Sequence, residues 1–343
     1  MSKLNVALIG AGFISNYHIK GLRTAGADVR AISSRSQASA QAKAAEFEIP
    51  DFTTDNSAIF SRDDVDAVVI VTPDFTHKDI AVEALEAGKP VMLQKPMARS
   101  TDECLTIIET AKRTGTPLFV SFMHRYFEEI YVMRDLLAKQ ALGSIFSIRQ
   151  RNATPGANWA SWFFSKEKVG GGALMQLGVH GIDLLRYLFG EIVEVRATTA
   201  LLKKERKLKD GTVVYPDSED LVFATYRFES GALATHETIY NEVAGTDRFR
   251  MEIYGENGSA WLRTERGNLA VYAPDYLGQH GWLIPDLPPE IPGLRHHQHF
   301  IDMVTGEAPP DHSALDGLMS QAVVEAVYKA AETGNWVTVK RDW

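Results

Sequence analysis

One cysteine, Cys104, stands among 343 residues. A lone thiol builds neither a disulfide framework nor a cysteine-based metal site, and it suits a reducing compartment. Runs of lysine and arginine are also missing. With a formal net charge of -8 and a pI near 5.7, the surface is poorly suited to gripping a phosphate backbone, which argues against nucleic acid as a partner. No apolar run reaches the roughly 20 residues that cross a bilayer, so no membrane span is expected. Behind Met1, Ser2 and Lys3 the apolar run LNVALI starts at once and leaves no room for a secretion signal; the expectation is a cytoplasmic protein. Internal repeats and low-complexity stretches are absent as well.

What is present is a globular composition, 45% hydrophobic and 23% charged, in a chain long enough for two domains. Between residue 4 and about residue 121, short β-branched runs alternate with helical patterns: LNVALI, ADVRAIS, DAVVIVT, PVMLQ and PLFVSF. Strands so uniformly apolar are covered on both faces, which predicts an α/β fold with a Rossmann-type, doubly wound parallel sheet over residues 1–122. Beyond that the rhythm changes. A long loop, ATPGANWASWFFSKEKVGGG, leads to a helix over 174–188. Alternating strands with hairpin signals at ESGA and GENGS then predict an α+β domain over 123–343 with a large, mainly antiparallel open sheet.

Gly10-Ala11-Gly12-Phe13-Ile14-Ser15 stands where the first strand gives way to a helix, the position of a phosphate-binding turn. Glycine there lets the backbone approach a pyrophosphate whose charge the helix N-terminus favours. Ser15 replaces the usual third Gly or Ala, yet is small enough for close packing of helix on strand. Gly10, Gly12, Phe13 and Ile14 are therefore candidate cofactor contacts. After the second strand, where an NAD-preferring site places an acid on the ribose, the residues are Ser33, Ser34 and Arg35. With no carboxylate to repel a 2′-phosphate and a guanidinium to pair with it, NADP(H) is favoured; acceptance of NAD(H) is the alternative.

The segment VTPDFTHKDIAVEALEAGKPVMLQKPMA, residues 71–98, resembles the glucose-fructose oxidoreductase and inositol dehydrogenase family, Gfo/Idh/MocA. Thr72, Pro73 and His77 match its Thr-Pro element with a following His, and Gln94, Lys95 and Pro96 match its Glu-Lys-Pro element with Gln in place of Glu. The resemblance continues through His124-Arg125-Tyr126 and Gly170-Gly171-Gly172 to MQLGVHGIDLLRYLFG at 175–190. There the family pattern Asp-x-Gly-x-His-x-x-Asp keeps His180 and Asp183 but has Gln176 at its first position. It implies cofactor contacts at Thr72, Pro73, His77, Gln94 and Lys95. Substrate contacts are implied at Lys95, His124, Arg125, Gln176, His180 and Asp183, and Trp162 in the long loop is a further candidate from its aromatic face. It also implies an NAD(P)-dependent dehydrogenase of sugars, cyclitols or related polyols that assembles as a homodimer or homotetramer.

The chemistry asks for the same groups. Moving a hydride from a carbinol carbon needs a base for the hydroxyl proton, and the reverse needs an acid. Lys95 at a strand end can donate to the reacting oxygen, His180 can carry the proton, and Asp183 can orient substrate or histidine. Spaced at i, i+4 and i+7 along a helix, Gln176, His180 and Asp183 project from one face and can line one pocket. Gln176 offers no counter-charge to His180, so the proton shifts toward Lys95. Trp159 and Trp162, with Asn152, suit either a wall against a sugar ring or ordinary packing. Arg295, His296, His297 and His299 lack an acidic or Cys partner at metal-binding spacing, so no metal is expected. Competing readings are a reductase of another carbonyl or an imine, of dihydrodiol or bilin type, and a catalytically silent NADP-sensing protein motivated by Gln94 and Gln176.

Overall fold

The computed structural model describes residues 3–243, 248–263, 269–289 and 291–343. It divides into two compact units, residues 1–126 with 290–318 and residues 127–289 with 319–343. Among the described residues no helix is long and apolar enough to cross a membrane.

The first unit is built on a parallel sheet of β1 (Asn5–Ile9), β2 (Asp28–Ser33), β3 (Asp51–Thr53), β4 (Ala67–Ile70), β5 (Val91–Gln94) and β6 (Leu118–Ser121), in the order β3-β2-β1-β4-β5-β6. All residues of β4, β5 and β6 are buried, as a sheet covered on both faces requires. The helices are α1 (Ser15–Thr24), α2 (Gln37–Glu46), α3 (Asn56–Phe60), α4 (His77–Glu86) and α5 (Thr101–Thr114). Local chemistry sets the limits of α5. Ser100 accepts from Glu103 N at its start, Asp102 and Glu103 lie in the first turn, Lys112 and Arg113 in the last, and Gly115 at φ 68° ends it. The edge strand β3 and the short α3 are too brief to show a period and have no counterpart in the sequence reading; β3 leaves Asp51 and Phe52 exposed, whereas α3 buries Ile59 and Phe60.

The second unit opens with α6 (Glu128–Ala138), β7 (Ile145–Ala153) and α7 (Lys166–Val169), followed by a π-helical turn, Leu174–Gly178, that runs into α8 (Val179–Phe189). After α8 come β8 (Ile192–Ala200), a small hairpin of β9 (Arg206–Lys207) and β10 (Val213–Val214), then β11 (Leu221–Phe228), β12 (Leu233–Ile239), β13 (Phe249–Gly255), β14 (Ser259–Arg263), β15 (Leu269–Tyr272) and α9 (Pro274–Leu277). The last elements are α10 (Leu294–Thr305), α11 (Ser313–Thr333) and β16 (Val337–Thr338). Eight strands form one sheet in the order β15-β14-β13-β7-β12-β11-β8-β16, antiparallel except for the parallel pair β7–β12. In β11 and β12 buried and open residues alternate, so one face is packed and the other is not.

Two features depart from the sequence reading. The stretch over 174–188 is not a uniform α-helix: the Val179 N–H reaches back five residues to Leu174 O, so its first turn is wider than the projection from a 3.6-residue period assumed. Segment 290–318 belongs to the first unit. Phe300, Ile301 and Met303 of α10 join the core made by Val6, Leu8, Ile19, Leu22 and Val69, and α10 packs on α1 where Gly21 leaves room for the His297 ring.

Candidate active site

Because β1, β4 and β5 are neighbours, the turns that follow them leave the sheet side by side, at about 5 Å per strand. After β1, Gly10 has φ +114°, donates to Ser33 O at 2.8 Å, and would place a Cβ 2.8 Å from Val71 O; no other residue fits there. Gly12 is different: a Cβ on it would meet nothing within 4 Å, so its backbone is open to a ligand. Buried Ser15 closes the turn, its hydroxyl donating to Gly12 O at 2.6 Å. Phe13 is exposed and Ile14 half-buried.

The end of β2 sorts the three candidates there. Ser33 is buried and its hydroxyl donates to Asn56 Oδ1 at 2.6 Å, so it is tied to α3. Ser34 is half-buried and Arg35 exposed, and these two side chains are the ones presented outward. Sequence reasoning missed Asn56, which opens a five-residue helix too short to show a period.

After β4, Thr76 Oγ1 lies 2.7 Å from both Thr72 Oγ1 and Pro73 O. His77 is fully buried, with Nδ1 2.9 Å from Pro96 O and Nε2 2.9 Å from Thr72 O. Its ring therefore braces the turn after β4 against the turn after β5. Burial lowers its pKa, the carbonyls of Thr72, Pro96 and Met97 oppose that, and Lys95 adds a repulsion. After β5, Gln94 Oε1 accepts from Lys95 N at 2.9 Å, and the half-buried Lys95 precedes a cis peptide bond to Pro96. The Gln94 side chain thus folds onto the backbone of the residue that follows it. Buried His124 and half-buried Arg125 follow β6; the Arg125 guanidinium pairs with Asp316 at 2.7 Å and lies over the Phe122 ring, so its charge is already matched.

In the second unit Gln176, His180 and Asp183 are all buried, on the π turn and α8. Beneath α8 lies a polar layer. His236 Nε2 is 2.8 Å from Asn152 Oδ1, its Nδ1 is 3.0 Å from Tyr226 Oη, and Gln150 donates to Asn152 Oδ1 at 2.9 Å. Full burial holds the His236 pKa down at about 3, so the ring is neutral and donates from Nε2 while Tyr226 donates to Nδ1. Asn152 is thereby committed to the packed side of β7. Gly181 fits over this layer because a Cβ would collide with Asn152 Oδ1. Trp162 and Trp159 both contact Phe163, which stacks on Tyr240, so the long loop is pinned by its own aromatic cluster.

The C-terminal histidines lie on α10. His296 and His297 are buried against α1, and His297 Nε2 is 2.9 Å from His18 Nδ1, whereas His299 pairs with Asp311 at 3.2 Å, which raises its pKa. Among the described residues no three His, Cys, Asp or Glu side chains come together as a metal site would need.

Residues 4–122 match the oxidoreductase family with an NAD-binding Rossmann fold, and residues 130–261 match the GFO/IDH/MocA C-terminal domain. Inositol 2-dehydrogenase of Acidothermus cellulolyticus is 31% identical over 267 residues, covering 77% of this chain and 74% of that protein. Inositol 2-dehydrogenase 2 of Saccharopolyspora erythraea is 29% identical over 343 residues, covering 98% of this chain and 96% of that protein. Among solved structures, levoglucosan dehydrogenase in complex with NADH and levoglucosan superposes with a TM-score of 0.88 at 27% identity, over 99% of this chain and 100% of that one. The match runs through both units and reaches well beyond the glycine turn, and the chain is a member of the Gfo/Idh/MocA family of oxidoreductases.

Proposed function

We propose that this oxidoreductase transfers a hydride between a nicotinamide dinucleotide, NADP(H) in preference to NAD(H), and a hydroxyl or carbonyl carbon of a sugar, cyclitol or related small polyol. The observation that carries the reading is the strand order. The glycine turn, Thr72 and Lys95 follow β1, β4 and β5, three neighbours at the point where the order of a doubly wound sheet reverses and ligands bind. The open backbone at Gly12 fits a pyrophosphate, and outward-facing Ser34 and Arg35, with no carboxylate between them, fit a 2′-phosphate. When bound, the nicotinamide supplies or accepts the hydride.

The chain's own residues then handle the proton. Lys95 donates a hydrogen bond to the substrate oxygen and stabilises charge that develops on it, His180 takes up or returns the hydroxyl proton, and Asp183 orients the ring or the substrate. Gln176 contributes hydrogen bonds without charge. The relatives support the substrate class, since inositol and levoglucosan are compact ring polyols. The open face of the second sheet, with Phe146, Phe223 and Leu233 exposed, supports pairing of chains into a dimer or tetramer.

The test is a fluorescence titration with NADPH and NADH, followed by absorbance assays of the reduced cofactor with inositols, anhydrosugars, free sugars and their keto forms. Tighter binding of NADPH and turnover on one of these groups is the expected result. Binding without turnover on any polyol points to a sensor or to a reductase of another carbonyl, and failure to bind either dinucleotide overturns the reading.

A further inference from the structure

The start of the segment that carries Gln176 and His180 has a feature that family membership does not explain. A helix leaves its first N–H groups without intrahelical partners, and a local Ser, Thr, Asp or Asn ordinarily satisfies them. Here no side chain caps the π turn from its own neighbourhood. A single residue some 45 positions away does so instead: Glu219 Oε1 accepts from Leu174 N at 3.0 Å and from Gly172 N at 3.2 Å, and Glu219 O accepts from Ala173 N at 2.9 Å. Three consecutive amides therefore close on one residue through both its side chain and its backbone.

Tyr328, on α11, completes the arrangement. Its hydroxyl donates to Glu219 Oε1 at 3.0 Å and lies 3.2 Å from Gly172 N. Burial and the neighbouring carboxylate raise the pKa of the phenol, so it stays protonated and remains a donor. Burial also raises the Glu219 pKa, while the bonds from Leu174, Tyr328 and Gly172 oppose that by favouring the carboxylate. The glycines at 171 and 172 follow from the same packing: a Cβ on Gly171 would run into the Tyr328 hydroxyl and one on Gly172 into Glu219 O.

We infer that Glu219, held by Tyr328, is a positioning residue: by capping amides 172–174 from a distance it fixes the register in which the π turn and α8 present Gln176, His180 and Asp183. The inference rests on the proposed proton-handling role of His180 for its kinetic part, and on the amide bonds alone for its structural part. Wide helical turns of this kind are uncommon and concentrate at functional sites. A displacement of about 1 Å in a reacting group suffices for a large rate loss.

The experiment compares Glu219→Ala, Glu219→Gln and Tyr328→Phe with the wild type by amide hydrogen exchange over 172–178, by cofactor titration and by kcat and KM per folded molecule. In Glu219→Ala the amides of 172 and 174, which lose the carboxylate oxygen, should exchange about tenfold faster or more, while that of 173 keeps the Glu219 carbonyl. Its kcat should fall by about 10- to 100-fold while cofactor affinity stays within about twofold. Glu219→Gln keeps an acceptor oxygen and should recover most of both, and Tyr328→Phe should show the same changes at smaller size. If Glu219→Ala aggregates, the Gln and Phe variants carry the test through the same two readouts. Wild-type exchange at 172 and 174, or a lowered Tm with unchanged kcat per folded molecule, overturns the inference. A wild-type protein without turnover defeats the proposed function and leaves the exchange comparison standing.

Discussion

The turn that carries Lys95 and the helix that carries His180 are held in place by opposite means. Around Lys95 the bonds come from nearer in the chain: Gln94 Oε1 takes the Lys95 N–H, and His77, eighteen residues upstream, spans the carbonyls of Thr72 and Pro96. Around His180 the bonds come from far along the chain. Glu219 and Tyr328 close the start of the π turn, and Asn152 and His236 lie under Gly181. The first site is set by strands whose ends are fixed once the parallel sheet forms. The second draws its contacts from β7, β12, α8 and α11, elements distant from one another in the chain. The two proposed proton-handling groups thus rest on one corner encoded nearby in the chain and one held by distant segments.

The sharpest way to separate the two is to remove the proposed proton-handling side chain from the first corner. Lys95→Ala leaves in place the bond from Gln94 to the Lys95 amide and those from His77 to the carbonyls of Thr72 and Pro96. Turnover should fall by about 10³-fold or more, the scale of losing both a proton-transfer partner and a charge stabiliser. Cofactor affinity and Tm should remain close to wild type. A rate loss of less than about tenfold would move the proton role to His180 alone.

This contrast also accounts for what the sequence made legible. The parallel sheet, the glycine turn and the Lys95 motif follow from contiguous residues, since buried parallel strands are continuous apolar runs and the turn chemistry sits beside them. The antiparallel second sheet was readable from alternation, as in LVFATYRF. Glu219 and Tyr328 were not readable, because nothing in the stretch Ser218-Glu219-Asp220 separates a remote helix cap from a solvated acidic pair. The π turn escaped because periodicity assumes one helical pitch, and the tie of Ser33 to Asn56 escaped because α3 carries no pattern. The return of 290–318 to the first unit needed tertiary packing, with Phe300 in the core.

Acid should widen the difference between the two units. In the first, His18, His296 and His297 are buried with pKa values lowered by burial, His297 to about 4; in the second, burial lowers His236 to about 3. A histidine whose folded pKa lies below the unfolded value near 6.5 binds its proton more readily when unfolded. Stability is therefore fully present above about pH 6.5 and is lost as pH falls toward the folded values. His236 alone is worth about 3–5 kcal/mol over that window. His299, raised by Asp311, acts the other way and lends its stability below about pH 6.5. The expectation is a Tm that drops steadily from pH 7 to pH 4, with amide exchange in α1 and α10 accelerating first because three of the depressed histidines meet there. If β12 and α8 exchange earlier, His236 dominates instead.

The smallest expected effect concerns the end of β2 in the first unit, where three adjacent residues differ in burial. Ser33 is buried with its hydroxyl on Asn56, so a carboxylate at 33 would face an amide oxygen in the interior and unsettle β2 and α3. Ser34 is half-buried at the strand end, and Ser34→Asp places a charge beside the ribose without disturbing that bond. The variant should fold normally and lose NADPH affinity by about 10-fold, because the carboxylate repels a 2′-phosphate and accepts from a 2′-hydroxyl; NADH affinity should rise by a few-fold. Paired titrations at two ionic strengths give the further check that the change is electrostatic, since the NADPH penalty should shrink at high salt whereas the hydrogen bond to NADH should not. Equal responses of both cofactors would assign the preference to Arg35 alone, whose exposed guanidinium pairs with phosphate whatever stands at position 34.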